Sequence, residues 1–533
     1  YVAGQTFNVT SNIYWSQSAV TIRGGYAATN ETGPGPWDPV QWPTLLIRPI
    51  SAAYTNRILF IDRVTNGCLD SVTLAQGYTD GPGWAGSYGN AYTNHGAGIY
   101  VYHSFGLLLT NCTIRQNRAN TPQGNSGYLY GGGIFAFNSE GVMANCTLFS
   151  NRVSTQTGST VSHGHGGGIY ASGGRWTLRD CAIISNVANG ASAATSYGGG
   201  LAIAGWFEFE RCVIRHNDIT VAGTIIGDGL CVLDGGAILR NCVVANNGGP
   251  GYYQVAGRGW FDYCTVADNA TYGLYRAAAG SIVVSNAILW NNNDDVYEPV
   301  AGGVQLGYSC VEDGDNLGVN GCVDSPPLFV DNAYFHLQST YGDYRGGYFT
   351  GGSWDVSASN SPLIDVGAPE RSPEFEPHPN GARVNMGAYG NSATASKSAP
   401  MAVTNRAPSA VTPISATLNA ELLQVGSPGV QAWFYWGLAD GGTNPLAWDT
   451  NRWVGSLADV GVFSLSVTGL LTGNTYYYAA FVSNGSATTV WAQPSTNFGA
   501  EIARPEISNR GVSNEVGPTV TLYGEVTSTG GDD

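Results

Sequence analysis

The chain has 533 residues, too many for one compact core, and only 11% of them are charged while 75 are Gly, the balance of a turn-dense β protein. A formal net charge of −16 argues against nucleic acid and anionic membrane surfaces as partners. No apolar run reaches the roughly 18 residues that a membrane-spanning helix needs. Lys397 is the only lysine, leaving 21 of the 22 basic residues as Arg, a bias without a physical account.

Residues 1–60 read as the entrance to a repeating body. VTIRGGYAATN alternates like a strand and ends in a Gly turn, and ETGPGPWDPVQWP is a Pro/Gly-rich loop. A solenoid exposes its core at its ends, so this segment is expected to cap the first coils. An early coil follows, with Val72 and Gly77 at the positions that become distinctive later.

Residues 61–395 are expected to form the β-helix, with the repeats running from about 95 to 300 and less regular coils continuing to about 395. NCTIRQN, NCTLFSN, DCAIISN, RCVIRHN, NCVVANN and YCTVADN place Cys112, Cys146, Cys181, Cys212, Cys242 and Cys264 at one position, and NAILWNN places Ala287 there. Five residues after each comes Asn117, Asn151, Asn186, Asn217, Asn247, Asn269 or Asn292, and three residues before each comes Leu109, Met143, Leu178, Phe209, Leu239, Phe261 or Val284. Within a unit, Ile169 and Ala171, Trp176 and Leu178, then Cys181 and Ile183 alternate with outward residues, which means three short strands with one buried face each. Only stacking can bury those faces. The intervals are 34, 35, 31, 30, 22 and 23, and the shortest suits one three-sided coil. The surplus in longer units, such as RANTPQGNSGYLYGGG, is polar and should loop outward. The expected fold class is all-β, a right-handed parallel β-helix followed by a β-sandwich.

On that geometry the small Cys side chains sit inward just after a corner, stacked about 4.8 Å apart and pointing alike, so a buried reduced ladder is expected. Cys310 and Cys322, flanking a Gly/Asp/Asn loop, are the better disulfide candidate. The Asn residues are expected at a corner, in left-handed backbone, with side chains bonded along the column. The Gly runs at 131–133, 166–168 and 198–200 mark the corner into the first strand, where φ is positive.

A linker is expected at 396–408. From 409 to 503, ATLNAELL, VQAWFYWG, FSLSVTGLL and TYYYAAFVSNG are alternating strands at sandwich spacing. The stretch GLLTGNTYYYAAFVSNG resembles the fibronectin type III signature, which implies that Leu471 and Tyr476 hold its core-leucine and corner-tyrosine places. At 504–533 the beginning of this unit recurs: Asn405-Arg406, Ser409, Thr417-Leu418, Glu421 and Gly426 return as Asn509-Arg510, Ser513, Thr521-Leu522, Glu525 and Gly530, all at an offset of 104. These are the first strands of a second, incomplete sandwich, read as truncation or as a strand lent to a neighbour.

GGGIYASGGRWTLRDCAIISN and its siblings resemble the repeats of bacterial surface β-helix proteins of the polymorphic outer-membrane type, and SPLIDVGAP and NMGAYG resemble the close of that group. The resemblance spans roughly residues 15 to 395. It implies the fold and a secreted or cell-surface location, in a group that mixes adhesins with carbohydrate-active proteins.

No catalytic set emerges. Gly164-His165-Gly166 imitates one glycosidase motif, but Asp294-Asp295 follows it rather than precedes it and no Arg-x-Lys appears. A lyase base is missing, since Lys397 lies in the linker. Glu208, Glu210, Asp218 and Asp228 could gather on one face. Asp313, Asp315 and Asn316 could hold Ca²⁺ through oxygens, the one cofactor considered, although a plain turn explains them. His163 and His165 lack a third metal ligand. More informative is the outward row of the first strand, Tyr100, Tyr102, Phe135, Phe137 and Tyr170, then Ala202, Ala204, Cys231 and Leu233. It should be polar if water lies there, and it is apolar instead. The chain's own insertions, another copy or a stacked sugar could cover it. The reading that follows is a non-enzymatic extracellular adhesin or a self-associating filament subunit whose partner is a surface glycan or protein. The alternative is a polysaccharide-degrading β-helix lyase or glycoside hydrolase with sandwich modules.

Overall fold

A computed structural model describes the chain outside residues 29–32, 52–53, 81–93, 122–126, 156–161, 191–194, 221–223, 278, 427–428, 485–487, 503, 514–516, 518–519 and 530–533. Parts of the expected entry loop, the tips of the expected surplus loops and Gly530 of the tail repeat lie outside the described residues.

Strands pair in parallel with partners one coil away, and the coils stack into a right-handed parallel β-helix with three faces. The third face, which follows the seam, is an eleven-stranded sheet from Thr6–Asn8 to Cys310–Val311. The first and second faces join into one 17-stranded sheet, because Ile169–Arg179, Leu201–Glu210 and Leu230–Arg240 run unbroken through the corner between them. One apolar column fills the interior, from Val9 and Trp15 at the start to Leu306 and Cys322 at the end. Cys146 and Cys181 lie on adjacent layers, since Thr147 pairs with Ala182.

The six seam cysteines are buried free thiols. Each sits where the wall turns and points at the backbone of the coil before, as Cys212 Sγ does toward Leu178 O at 3.3 Å. Burial pushes the Cys212 and Cys242 thiols up.

The asparagines differ from expectation in an instructive way. The left-handed residue is not the Asn but the one before it, as at Gln116 (φ 55°), Ser150 (53°), Ser185 (56°) and His216 (54°). A second left-handed residue precedes each seam Cys, as at Asn145 (51°), Asp180 (52°) and Arg211 (50°). The Asn side chain turns inward instead. Asn186 Nδ2 donates to Leu148 O (3.1 Å) and to Asn217 Oδ1 (3.1 Å), while its Oδ1 accepts from the backbone N and Nδ2 of Asn151, both at 3.0 Å. The chain of such bonds runs from Gly77 N through every seam Asn to Asn292. It explains two of the three glycines in each run. The first takes positive φ, 63° at Gly131 and 64° at Gly166. The third lies against the ladder, where a Cβ on Gly168 would come within 3.1 Å of Asn186 Cγ.

The surplus in the long coils is not a set of loose loops. It folds into two more parallel sheets, one from Tyr78–Asp80 through Arg118–Thr121, Arg152–Thr155 and Val187–Asn189 to Asp218–Ile219, the other from Gly127–Tyr130 through Ser162–His165 and Thr195–Tyr197 to Thr224–Ile226. Ala97, Ala119, Leu129 and Val153 form their private core.

Coils end at Cys310–Val311, so the less regular coils expected to continue to about 395 are not formed. Residues 312–323 lie on the last coil, with Tyr308 N donating to Asn320 O at 2.8 Å and Val323 N to Ser309 O at 3.0 Å. The chain then folds back along the outside of the third face. Phe335, Ala388 and Tyr389 cover Val243, Ala245 and Ala267, and Leu337, Leu363 and Met386 cover Ile288 and Cys310. Asn241 Nδ2 ties the cover down by donating to Ala388 O and Gly390 O, at 2.9 and 2.8 Å. SPLIDVGAP and NMGAYG belong to this cover. The expected linker is largely absorbed: Ser396 and Ser398 are buried, Lys397 N donates to Gly342 O, and the first sandwich strand is already Ala402–Ser409.

The sandwich packs Ala402–Ser409, Ser415–Gln424 and Gly461–Thr468 against a sheet that includes Val430–Gly437 and Thr475–Ser483. Tyr476 accepts the N–H of Leu471 at 2.9 Å, as the corner role implies. The core leucine is Leu470, 5% exposed, and Leu471 points outward at 56%. The turn between Leu471 and Tyr476 shifts the inward position by one. In the tail, Glu506–Ser513 and Thr521–Ser528 pair in the same register as their counterparts 104 residues earlier: Asn405 opposite Ala420 becomes Asn509 opposite Gly524. The Arg406–Glu421 ion pair recurs as Arg510–Glu525.

Candidate functional site

The first face carries an outward column of rings. Tyr14, Phe60, Tyr100, Phe135 and Tyr170 follow one another with centroids 5.2, 4.8, 4.9 and 5.7 Å apart. Ala202 and Cys231 interrupt it, and Tyr253, Tyr275 and Tyr297 resume it at 4.2 and 4.9 Å. Tyr14, Phe60 and the last three tyrosines lie on coils that sequence reasoning did not align with the others, and the parallel pairing places them in the same row. Beside this column, Tyr102 stacks on Phe137 at 5.9 Å.

The middle of the column is not exposed. Tyr100 is 1% and Phe135 3% exposed, while Tyr102, Phe137, Tyr170 and Leu233 are half-buried. A second column lies on the first: on the sheet made by the insertions, Tyr130 stacks on Tyr170 at 4.2 Å and His165 packs against Tyr130 and Tyr197, and His95, from the bend before Ile99–Tyr102, meets Phe135 at 5.1 Å. The Arg57 guanidinium lies 4.9 Å from the Tyr100 ring. The chain's own residues therefore cover Tyr100, Phe135 and Tyr170 of the face proposed for binding or assembly, while Tyr102 and Phe137 beside them stay half-buried. Leu233 falls at a register shift, between the pairs Ile203–Val232 and Ala204–Asp234, and lines no continuous row.

His165 belongs to this seam and not to a metal site. Its Nδ1 accepts from Tyr197 N at 3.2 Å, and burial drives its pKa down to about 3, so it is a neutral ring among rings. His163 Nδ1 sits 2.9 Å from Thr195 O.

These columns are stacked one coil upon the next, and a family model confirms the type of stack. A model described as "Right handed beta helix region" matches residues 152–323. No curated protein matches the sequence. Among solved structures, two forms of the sensor domain of the anti-sigma factor RsgI4 in Pseudobacteroides cellulosolvens are similar to 19% of this chain. The short form matches at 14% identity and a TM-score of 0.15 over 96% of its length, the long form at 13% and 0.14 over 89%.

On this β-helix the four carboxylates expected to gather separate into two pairs. Glu208 and Glu210 stand on the second face, paired with Arg175 (2.6 Å), Arg179 (3.2 Å) and Arg211 (2.5 Å), and Arg211 also holds Asp180 at 2.7 Å. Asp218 and Asp228 meet at the corner where the insertion series ends, and Gly248 and Gly249 cross over them so closely that a Cβ on either would touch a carboxylate oxygen at 2.3 Å. Asp228 is 1% exposed, its Oδ2 accepts from Ile219 N at 2.9 Å, and burial pushes its pKa up to about 8. A raised carboxyl beside a second one is the signature of an acid–base pair, but Asp228 is buried and Gly248 and Gly249 lie across both carboxylates.

The acids at the C-terminal end are bound up in turns. Asp313 Oδ2 accepts from Asp295 N at 2.9 Å and its Oδ1 from Asp315 N at 3.3 Å. Buried Asp295 accepts from Asn292 Nδ2 and Glu312 N, both at 2.8 Å, and burial raises its pKa to about 6. Among the described residues no group of three His, Cys, Asp or Glu side chains is placed to hold a metal. The expected disulfide is not formed: Cys310 and Cys322 are separate thiols, and Cys310 Sγ bonds to Ser325 O at 3.2 Å. The loop between them turns Cys310 into the last strand and leaves Cys322 against the end of the core.

Proposed function

We propose that this is a secreted or cell-surface structural protein of the adhesin kind. Its β-helix would be a rigid body that presents a binding surface, followed by fibronectin type III-like units that would serve as spacers. The observation that carries this reading is the closure of the aromatic face. The middle rings, Tyr100, Phe135 and Tyr170, are packed under the chain's own residues, which supports a body that does not call on a second copy to cover that stretch. The lid of residues 312–323 over the last coil also disfavours head-to-tail stacking into a filament, because a partner's first coil would meet a loop and not an open strand edge.

The polysaccharide-degrading alternative would draw on Asp218 and Asp228, and the burial of Asp228 counts against it. Electron microscopy of the purified chain, together with assay for new reducing or unsaturated ends in acidic polysaccharides, tests the proposal. Discrete rods and no turnover are expected. Long fibres would favour the filament reading, and turnover lost in Asp228→Asn would establish the enzymatic one.

A further inference from the structure

We infer that the outside of the second face between Ile238 and Ser285 binds an anionic polysaccharide, one whose sugar rings carry carboxylate or sulfate groups. The inference rests on the reading of the body as a binding scaffold. Parallel register lines up Ile238, Trp260 and Val283 on three successive coils, and beside them Arg240, Asp262 and Ser285. Arg371, from the folded-back segment, overhangs the second row, and together these side chains line an open groove of about 440 Å³. Both rows run along the helix axis and repeat at the strand spacing of about 4.8 Å, close to the length of one pyranose residue in an extended chain.

The floor differs in kind from the covered first face. Tyr253, Tyr275 and Tyr297 stack face to face and hide one another's rings. Trp260 is 36% exposed, lies between two aliphatic neighbours, and has no ring stacked on it among the described residues. Its indole is therefore free to meet the apolar C–H side of a sugar.

The charges supply the rest of the selectivity. Elsewhere on this face Arg175, Arg179 and Arg211 are neutralised by Glu208, Glu210 and Asp180. Arg240 is exposed and its guanidinium has neither an ion pair nor a hydrogen bond among the described residues. Arg371 reaches Asp262 only at 3.5 Å, and Asp262 is also engaged by Asn286 Nδ2 at 3.0 Å. On a chain of net charge −16, an unneutralised guanidinium beside an exposed indole is a local exception. A planar guanidinium binds carboxylate or sulfate through two parallel hydrogen bonds.

Affinity electrophoresis of the full chain through gels containing polygalacturonate, dextran sulfate or neutral dextran tests the site. Retardation is expected in at least one anionic gel and not in neutral dextran; polygalacturonate alone would name carboxylate as the recognised group, dextran sulfate alone sulfate. Trp260→Ala and Arg240→Ala should each weaken retention at least tenfold with unchanged circular dichroism, and Trp260→Phe should keep part of it. The site is overturned by no retardation in either anionic gel, by equal retardation in neutral dextran, or by wild-type retention in both alanine variants. New reducing ends in the same incubations would sink the scaffold reading separately, whether or not the groove binds.

Discussion

A seam asparagine is worth more than its size suggests, because it spends every polar atom of its side chain in a place without water. Asn186 makes four hydrogen bonds across three coils and is fully buried. Asn186→Ala removes them and strands the Leu148 carbonyl and the Asn151 donors, so it should cost about 2–4 kcal/mol, read as a lowered urea midpoint. Asn217 and Asn247 should behave alike. The ladder was legible in the sequence because identical side chains recur at one offset. The left-handed backbone beside it was only half legible: before the seam residue it falls on Asn111, Asn145, Asp180, Asn241 and Asn286, types that favour it, but also on Arg211 and Tyr263, and before the ladder Asn it falls on Gln116, Ser150 and His216. Asp228 gives the residue scale its pH dependence. Its folded pKa, raised by burial to about 8 from the ordinary aspartate value, means the native state keeps a proton that the unfolded chain gives up. Stability is therefore full below about pH 4, falls as pH rises toward 8, and levels off above. Asp228→Asn, a neutral mimic of the protonated acid, should remove that slope, at most about 1.4 kcal/mol per pH unit. Thermal midpoints of the two proteins should coincide near pH 4 and diverge by pH 8, with the variant the more stable.

At the scale of the element, the insertions show how a polar, Gly-rich stretch can still be structural. Their strands bury little of their own, but they lay Tyr130 and His165 on Tyr170, and with His95 from a neighbouring bend on Phe135 the middle of the first face closes. The sequence exposed the apolar row beneath, since Tyr100, Phe135 and Tyr170 stand where polar residues would be expected. It did not show what lay above, because the covering residues are spaced by turns of unequal length. Tyr100→Ser with Phe135→Ser should lower stability by several kcal/mol and leave the sedimentation coefficient of the folded fraction unchanged; a shift in oligomeric state would mean the face is shared between copies. The sandwich allows a finer test. Leu470→Ala should cost about 2–4 kcal/mol and Leu471→Ala under about 0.5, because only the first is in the core. Tyr476→Phe, which leaves the Leu471 N–H without its acceptor, should cost about 1 kcal/mol. The sequence pattern placed the inward leucine within one residue of where it stands. It could not decide which of two adjacent leucines turns inward, since that depends on the turn and not on composition.

The whole molecule is organised by what covers what. The column is open wherever a coil ends, and the chain spends residues 312–400 closing one end and one flank. That return was hidden because SPLIDVGAP and NGARVNMGAYG carry neither period two nor the seam offset. A signal did exist in the wall: outward third-face residues change from Thr113 and Arg115 to Val243 and Ala245, an apolar strip that asks for a lid. The two hairpins of the sandwich region set the same issue of cover side by side. Ala402–Ser409 with Ser415–Gln424 and Glu506–Ser513 with Thr521–Ser528 share register, ion pair and pattern. They differ in burial: Leu418 and Leu422 are inside a core, whereas Leu522 is 78% and Val526 58% exposed. An isolated two-stranded hairpin is at best marginally stable in water, so equal backbone pairing should not mean equal persistence. Amide hydrogen exchange followed by mass spectrometry should find Ser415–Gln424 protected more than Thr521–Ser528 by a factor on the order of 10² or more. Equal protection in dilute solution would show that the bare face of the second hairpin has found a partner. Dilution then separates the two sources, because a contact with another copy loses protection as concentration falls, and a contact within the chain does not.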